Sequence, residues 1–181
     1  MINAEFQRIT THPLETTFMA QLDSLQPQLT SVFQRKGVVT EATSDVHSKR
    51  AAVLRALCLY LGEDDGHLIH EYMDIKGNDI QTGMQRCTMG IYVISKENGD
   101  PGHYDDTGMF NEGVIILDNI GSEAQACAVM LGVIYALNLA YPKELRHYYE
   151  FIQKVLFVYS VNCEGMSSVI SNATAVSVPR R

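Results

Sequence analysis

The fold of this chain is decided by residues 122–159, which read SEAQACAVMLGVIYALNLAYPKELRHYYEFIQKVLFVY. A nearly unbroken apolar run covers 126–137, and Pro142 separates it from a second, amphipathic run. Ser122 suits the N-cap of the first helix, and proline is favoured at the first position of the second. We therefore predict two helices that are hinged at Tyr141 and Pro142, with the first buried on nearly every side.

The apolar run is too short to cross a membrane. It covers about a dozen residues, whereas a helix that spans a bilayer needs roughly 20. Small side chains recur along it, so that neighbouring elements can approach closely. The run therefore predicts a buried core helix and no membrane partner. The small residues are Ala124, Ala126, Ala128, Gly132 and Ala136.

Apolar residues at helical spacing predict two helices before the central one. Pro27 interrupts the first, which predicts a kink or two short helices, and Gly37 ends it. The second begins at Asp45 or Ser48 and ends at Gly62. The first stripe consists of Leu14, Phe18, Leu22, Leu25, Leu29 and Val32, and the second of Val53, Leu54, Leu57, Cys58 and Leu61.

A third, short helix is predicted over residues 67–73, because Glu63, Asp64 and Asp65 place carboxylates where a helix dipole favours them. His67 and His70 within it are three positions apart, so a helix would put them on one face, and Asp64 or Glu71 would add an oxygen ligand. Such a set suits zinc or another divalent ion. The alternative, an acidic helix start with two solvated histidines, explains the same residues.

Two buried strands are predicted over residues 89–94 and 114–117, which are β-branched and aromatic. The connection between them, residues 96–112, is rich in turn residues and long for a hairpin. We expect this loop to be disordered. The alternative is an active-site lid that carries His103, Tyr104, Asp105 and Asp106.

The predicted fold class is mainly α, an α+β domain over residues 1–162. It has about five helices around the buried central helix and one short two-stranded β element. Residues 163–181 have no clear period and are expected to form a flexible tail.

The composition is that of an ordinary globular protein with an acidic surface. Of the 181 residues, 46% are hydrophobic and 19% are charged, and the net charge is −7 at pH 7. Nucleic acids and anionic membranes bind basic surfaces, so neither is expected to bind the isolated domain. The cysteines lie far apart and predict free thiols in a reducing compartment inside the cell, cytoplasmic or nuclear. They are Cys58, Cys87, Cys127 and Cys163.

One block, IYALNLAYPKEL at 134–145, lies between GVIIL at 113–117 and FIQKVL at 151–156. The runs LETTFM at 14–19 and LCLYLGE at 57–63 precede them. In this order the blocks resemble a large family of fish proteins that are often labelled as similar to sterile alpha motif domain-containing proteins. The resemblance covers about residues 6–160.

The resemblance implies an interaction or assembly role, and an association with mobile elements. The family has no assigned reaction, cofactor or catalytic residue, so the resemblance supplies no site residue. Some members carry a sterile alpha motif or zinc fingers upstream, which this sequence does not contain. The last residues, 167–181, also depart from the family's pattern.

A basic and aromatic group, Arg146, His147, Tyr148 and Tyr149, has the composition of a patch that stacks on single-stranded nucleic acid. At helical spacing, the two tyrosines are predicted to face the core instead.

The leading functional hypothesis is a non-enzymatic protein-interaction or self-assembly module that acts inside the cell. Its partner would be another protein or a second copy of the chain. The alternatives are a metal-dependent enzyme that uses His67, His70 and Asp64, and a nucleic-acid-associated protein derived from a mobile element. Hydrolase and nucleotide-binding motifs are missing from the sequence, and no cofactor or catalytic residue is predicted.

Overall fold

The structure of the chain is a computed structural model that describes residues 4, 7–8, 13–38, 45–73, 82–95 and 104–158. Residues 156–158 are described without their side chains. Helices and strands alternate in blocks along the chain. In order they are α1 (Leu14–Arg35), α2 (Val46–Tyr60), a 3-10 turn (Asp65–His67), β1 (Ile69–Met73), β2 (Met89–Ser95), β3 (Asp106–Asn111), β4 (Val114–Leu117), α3 (Glu123–Ala136), a second 3-10 turn (Lys143–Leu145), α4 (Arg146–Phe151) and a π-helical stretch (Ile152–Val158).

Helix α1 turns the predicted apolar stripe towards the core. The expected division into two short helices is wrong, because α1 continues through Pro27 to Arg35. Proline removes one backbone hydrogen bond, and the burial of apolar side chains on both sides of Pro27 outweighs that loss. The buried residues of α1 are Leu14, Phe18, Leu22, Leu25, Leu29 and Phe33, the last in place of the predicted Val32.

Helix α2 begins and ends where its capping residues predict. The Asp45 carboxylate accepts hydrogen bonds from the backbone N–H and the hydroxyl of Ser48, at 2.7 and 2.9 Å. Gly62 follows the helix with a φ of +79°, which glycine adopts without steric cost. The predicted inner face is buried, at Val53, Leu54, Leu57, Cys58 and Leu61.

Residues 67–73 do not form the predicted helix. A single 3-10 turn is followed by strand β1, which pairs in parallel with β2. Ile69 belongs to the main core, whereas Tyr72 packs with a smaller cluster that includes Tyr92 of β2. A helix of this length is unstable alone, so pairing with a distant strand decides the conformation.

The sheet has the strand order β1–β2–β3–β4, with β1 parallel to β2 and the other neighbours antiparallel. The predicted strands correspond to β2 and β4, but β3 lies between them. Strand β3 occupies the second half of the expected 96–112 loop, and residues 96–103 lie outside the described part of the chain. The fold class, mainly α with a two-stranded element, is therefore wrong: this is an α/β protein with a four-stranded mixed sheet.

Helix α3 lies at the centre of the core. The Ser122 hydroxyl accepts the Gln125 N–H at 3.2 Å, as expected of an N-cap. Of the 14 residues of α3, 11 are buried, so nearly every side of the helix meets protein. Helices α1 and α2 pack on α3, as do strands β2 and β3. In the described part of the chain, no helix combines the length and the apolar character needed to cross a membrane.

Beyond α3 the chain forms short pieces instead of one long helix. Asn138, with a φ of +51°, follows α3, and Pro142 precedes the second 3-10 turn. Helix α4 has six residues and continues into the π-helical stretch. The predicted inner face is buried at Leu145, Tyr148, Tyr149, Ile152 and Val155, while the Leu156 side chain, Tyr159 and residues 163–181 lie outside the described part.

Gly108 tests how closely β2 and β3 approach. It faces Tyr92 in the register, and a Cβ there would overlap the tyrosine ring and lie 2.5 Å from the Leu117 carbonyl oxygen. We expect Gly108→Ala to lower the free energy of unfolding by about 1–3 kcal/mol through overpacking, as measured by urea denaturation. As a control, Gly66→Ala would place its methyl 3.2 Å from the Asp64 carboxylate, which needs to shift by only a few tenths of an ångström. Equal losses in the two variants would contradict this packing.

Candidate functional site

Strand β4 exposes three consecutive apolar side chains at the edge of the sheet. Val114, Ile115 and Ile116 are 64%, 50% and 38% exposed. The prediction that this strand is buried is therefore wrong. In the described part of the chain, strand β4 has a neighbouring strand on one side only, and α3 packs mainly against β2 and β3.

A tight turn sets the position of β4. Glu112 and Gly113, with φ values of +49° and +77°, form a two-residue loop between β3 and β4. Two positive φ values are typical of a type I′ turn, whose twist suits a hairpin. The Glu112 N–H also donates to the Thr88 carbonyl at 2.6 Å, which holds the turn against the segment before β2.

The free edge of β4 offers backbone groups together with apolar side chains. In an antiparallel pair, alternate residues direct their N–H and C=O groups away from the neighbouring strand. An edge strand therefore carries donors and acceptors that another extended chain can pair with. Two exposed carboxylates, Glu112 and Asp118, lie one or two residues beyond the ends of β4.

At the opposite edge of the sheet, Arg55 of α2 holds an ion-pair cluster. Its guanidinium donates to both carboxylate oxygens of Glu123 at 3.0 Å and lies 2.7 Å from a carboxylate oxygen of Glu71. A further bond of 3.3 Å reaches the Tyr104 hydroxyl. Burial by itself lowers the pKa of Arg55, but the two carboxylates raise it above its ordinary value overall, so the cation persists.

A shallow cavity of about 420 Å³ adjoins this cluster. Its lining is mainly polar and includes Asp64, Asp65 and His70 beside Arg55 and Glu71. The cation of Arg55 is already engaged by carboxylates, so the cavity presents no unpaired positive charge from this residue to an anion.

The three candidate metal ligands do not converge on a common point. His67 is exposed, Asp64 accepts the Gly66 N–H at 2.9 Å, and the His70 ring packs edge-on against Phe110 with centroids 5.2 Å apart. Among the described residues, no three His, Cys, Asp or Glu side chains are grouped closely enough to hold a metal ion. The structure therefore does not assemble the ligand set that a helix over 67–73 would have formed.

The residues predicted to form an active-site lid also lie apart from one another. His103 lies outside the described part of the chain, and Asp105 is exposed. The Asp106 carboxylate accepts the Tyr92 hydroxyl at 3.0 Å and the Asn119 N–H at 2.9 Å, so it secures the start of β3. Tyr104 belongs to the Arg55 cluster. These contacts give Tyr104 and Asp106 structural roles.

The prediction that Tyr148 and Tyr149 face the core is confirmed. They are 1% and 2% exposed, so neither ring is accessible for stacking on a base. The N-terminus of their helix, α4, is held by Glu63, whose carboxylate accepts the His147 and Tyr148 N–H groups at 2.8 and 2.9 Å. Arg146 pairs with Glu150 on the surface.

Cys58 and Cys127 are free and buried, which confirms that they act as small apolar residues. Burial raises the pKa of each thiol to about 12. The reactive thiolate is therefore scarce at neutral pH. Cys87 is also free, and Cys163 lies outside the described residues.

No protein-family model, no curated protein and no solved structure gave a significant match to the chain. The family resemblance of the sequence therefore stays a prediction. Among the exposed apolar side chains of the described residues, those of β4 are three consecutive residues of one strand.

Sequence reasoning missed this surface because it treated residues 96–112 as one loop. The residues before and after Glu112 and Gly113 carry a usable signal, since a two-residue turn that ends in glycine is typical of a hairpin. Recognition of that hairpin would have placed β4 beside β3. Its exposure depends on what packs over the sheet, which no local pattern reports.

Removal of Arg55 tests the ion-pair cluster. Arg55→Ala leaves the Glu123 carboxylate, 4% exposed, without its cation. We expect the free energy of unfolding to fall by about 3 kcal/mol or more, as for other broken buried pairs. Arg146→Ala, whose side chain is 69% exposed, is the control and should cost less than about 1 kcal/mol. Urea denaturation of both variants would contradict the buried role of Arg55 if the losses were similar.

The pH dependence of stability tests the environment of His70. Burial lowers the pKa of His70, although a bond with the His67 backbone raises it in part. Within the described part of the chain, its buried Nε2 has no hydrogen-bond partner. The fold thus favours the neutral ring, and the unfolded chain takes up the proton first. This stability is present above the unfolded pKa of about 6.5 and is lost as pH falls through the folded value.

We therefore expect a steeper loss of stability in the wild type than in His70→Gln when urea unfolding is compared between about pH 8 and about pH 5. His67→Gln, at an exposed position, should change the slope less than His70→Gln does, because it keeps the buried ring and removes only the smaller repulsion from His67. The carboxylates beside His70, Asp64, Asp65 and Glu71, are common to both variants, so the difference in slope isolates the ring. Identical slopes in His70→Gln and the wild type would refute this assignment.

Proposed function

We propose that this protein is a non-enzymatic protein-interaction module whose contact surface is the free edge of β4. The observation that carries the proposal is the exposure of Val114, Ile115 and Ile116 on a strand with one edge that no described strand pairs with. Apolar area gains about 25 cal/mol for each Å² removed from water, so a partner that covers these side chains is favoured. The backbone of the same strand adds hydrogen bonds.

The sequence of β4 supports this role. Natural edge strands are usually protected by lysine, proline or a covering element. Residues 114–117 carry no charge and no proline, although the register shift between Met109 and Phe110 limits the regular length of the edge. Such a short edge suits the addition of a single strand more than open-ended assembly.

We place this module inside the cell. The free thiols at Cys58, Cys87 and Cys127 support this compartment, because a reducing environment maintains thiols. The two other functions raised by the sequence have less support. The described residues assemble no metal-ligand group, and the tyrosines proposed for nucleic acid are buried.

A charge placed on β4 tests the proposal. Ile115→Lys should leave folding within about 0.5 kcal/mol of the wild type, since the side chain is on the surface, and should abolish binding to partners. Quantitative mass spectrometry after affinity capture, together with sedimentation, would measure partner proteins and self-association. Leu137→Lys is the matched control. The Leu137 side chain is 63% exposed and directly follows α3, about 21 Å along the helix axis from Glu123, the first residue of that helix.

Partners that are retained by Leu137→Lys and lost from Ile115→Lys support the β4 surface. A monomeric wild type without reproducible partners, or a partner set that Ile115→Lys keeps, argues against it.

A further inference from the structure

Resting on the proposed function, we further propose that the partner of β4 is an extended segment of another protein with an apolar, β-branched centre and lysine or arginine at both ends. The basis is the charge pattern around β4. This narrows the interaction to one chemical class of partner and separates it from self-association.

Acidic residues lie on both sides of the apolar edge. Residues 104–122 contain four carboxylates, at Asp105, Asp106, Glu112 and Asp118, and no lysine, arginine or histidine. Asp106 is engaged by Tyr92 and Asn119, whereas Glu112 and Asp118 are exposed. Glu112 lies in the tight turn that precedes β4, and Asp118 directly follows the strand. A strand that covers residues 114–117 therefore has a carboxylate near each of its ends.

A second copy of the chain fits this edge poorly. Two identical strands related by a twofold axis pair in the antiparallel direction. When Ile115 of one copy faces Ile115 of the other, the turn that carries Glu112 in each copy lies at the end of the strand pair where the other copy has Asp118. Like charges brought close together are destabilising, and the symmetry produces this approach twice.

Both faces of β4 favour an apolar partner. Val114 and Ile115 are successive residues of the strand, so their β-branched side chains point to different faces of the sheet. Because both flanks of the strand are acidic, basic ends on the partner are complementary in either strand direction. The charges thus favour the class of peptide without setting its polarity.

The test uses two labelled peptides in fluorescence anisotropy with the full chain. Each has a centre of valine and isoleucine, and one has a lysine at each end where the other has a glutamate. The lysine-ended peptide should bind about tenfold more tightly at low salt, and the difference should shrink as salt screens the charges. In Glu112→Lys/Asp118→Lys the preference should reverse.

Glu112→Asn/Asp118→Asn provides a second variant, because asparagine tolerates the positive φ of position 112. It should bind both peptides equally, and circular dichroism should show that each variant is folded. Ile115→Lys should bind neither peptide.

The outcomes separate this inference from the proposed function. Equal binding of the two peptides by the wild type, lost in Ile115→Lys, overturns the charge inference and leaves the β4 surface standing. Self-association of the wild type that Ile115→Lys abolishes also overturns the charge inference and leaves the β4 surface standing, because the partner is then a second copy of the chain. Peptide binding that survives Ile115→Lys overturns both, and no binding of either peptide to the wild type overturns the inference.

Discussion

The ion pair between Arg55 and Glu123 sets the arrangement of the helices relative to the sheet. Helix α3 is apolar on nearly all sides, so hydrophobic burial alone gives it little preference for one rotation about its axis. Glu123 begins this helix with a nearly inaccessible carboxylate, and an unpaired charge there is costly. Because the same guanidinium also contacts Glu71 of β1 and Tyr104 near β3, one side chain joins α2, α3 and the sheet.

A second buried carboxylate orders the C-terminal helices. Glu63 follows the end of α2, its side chain is 8% exposed, and it accepts the first N–H groups of α4 from 84 and 85 residues away. Helix α4 has only six residues and is too short to be stable alone. A cap supplied by tertiary structure therefore replaces the local cap that α2 and α3 have. Tyr148 and Tyr149 can then fill the core beside Cys127.

The same arrangement leaves β4 outside. The helical layer centres on α3, which covers β2 and β3, and the tight turn at Glu112 and Gly113 places β4 beyond this cover. The outer face of the inner strands is closed by its own small cluster, with Met84 packed on Tyr92 and Phe110. Exposed apolar residues on β4 are thus a consequence of sheet width, and this exposure is the basis of the proposed interaction surface.

The sequence by itself determined the elements whose signals are local. Apolar spacing and capping residues located α1, α2 and α3, and the helical spacing of Tyr148 and Tyr149 indicated burial, because these patterns repeat within one or two turns. Tertiary structure decided β1, β3 and the exposure of β4. A strand is stable only beside a partner, and the partners of β1 are about 20 residues away in sequence. The candidate metal group of His67 and His70 depended on a helix that this pairing replaces, and burial of β4 depended on which strands α3 covers.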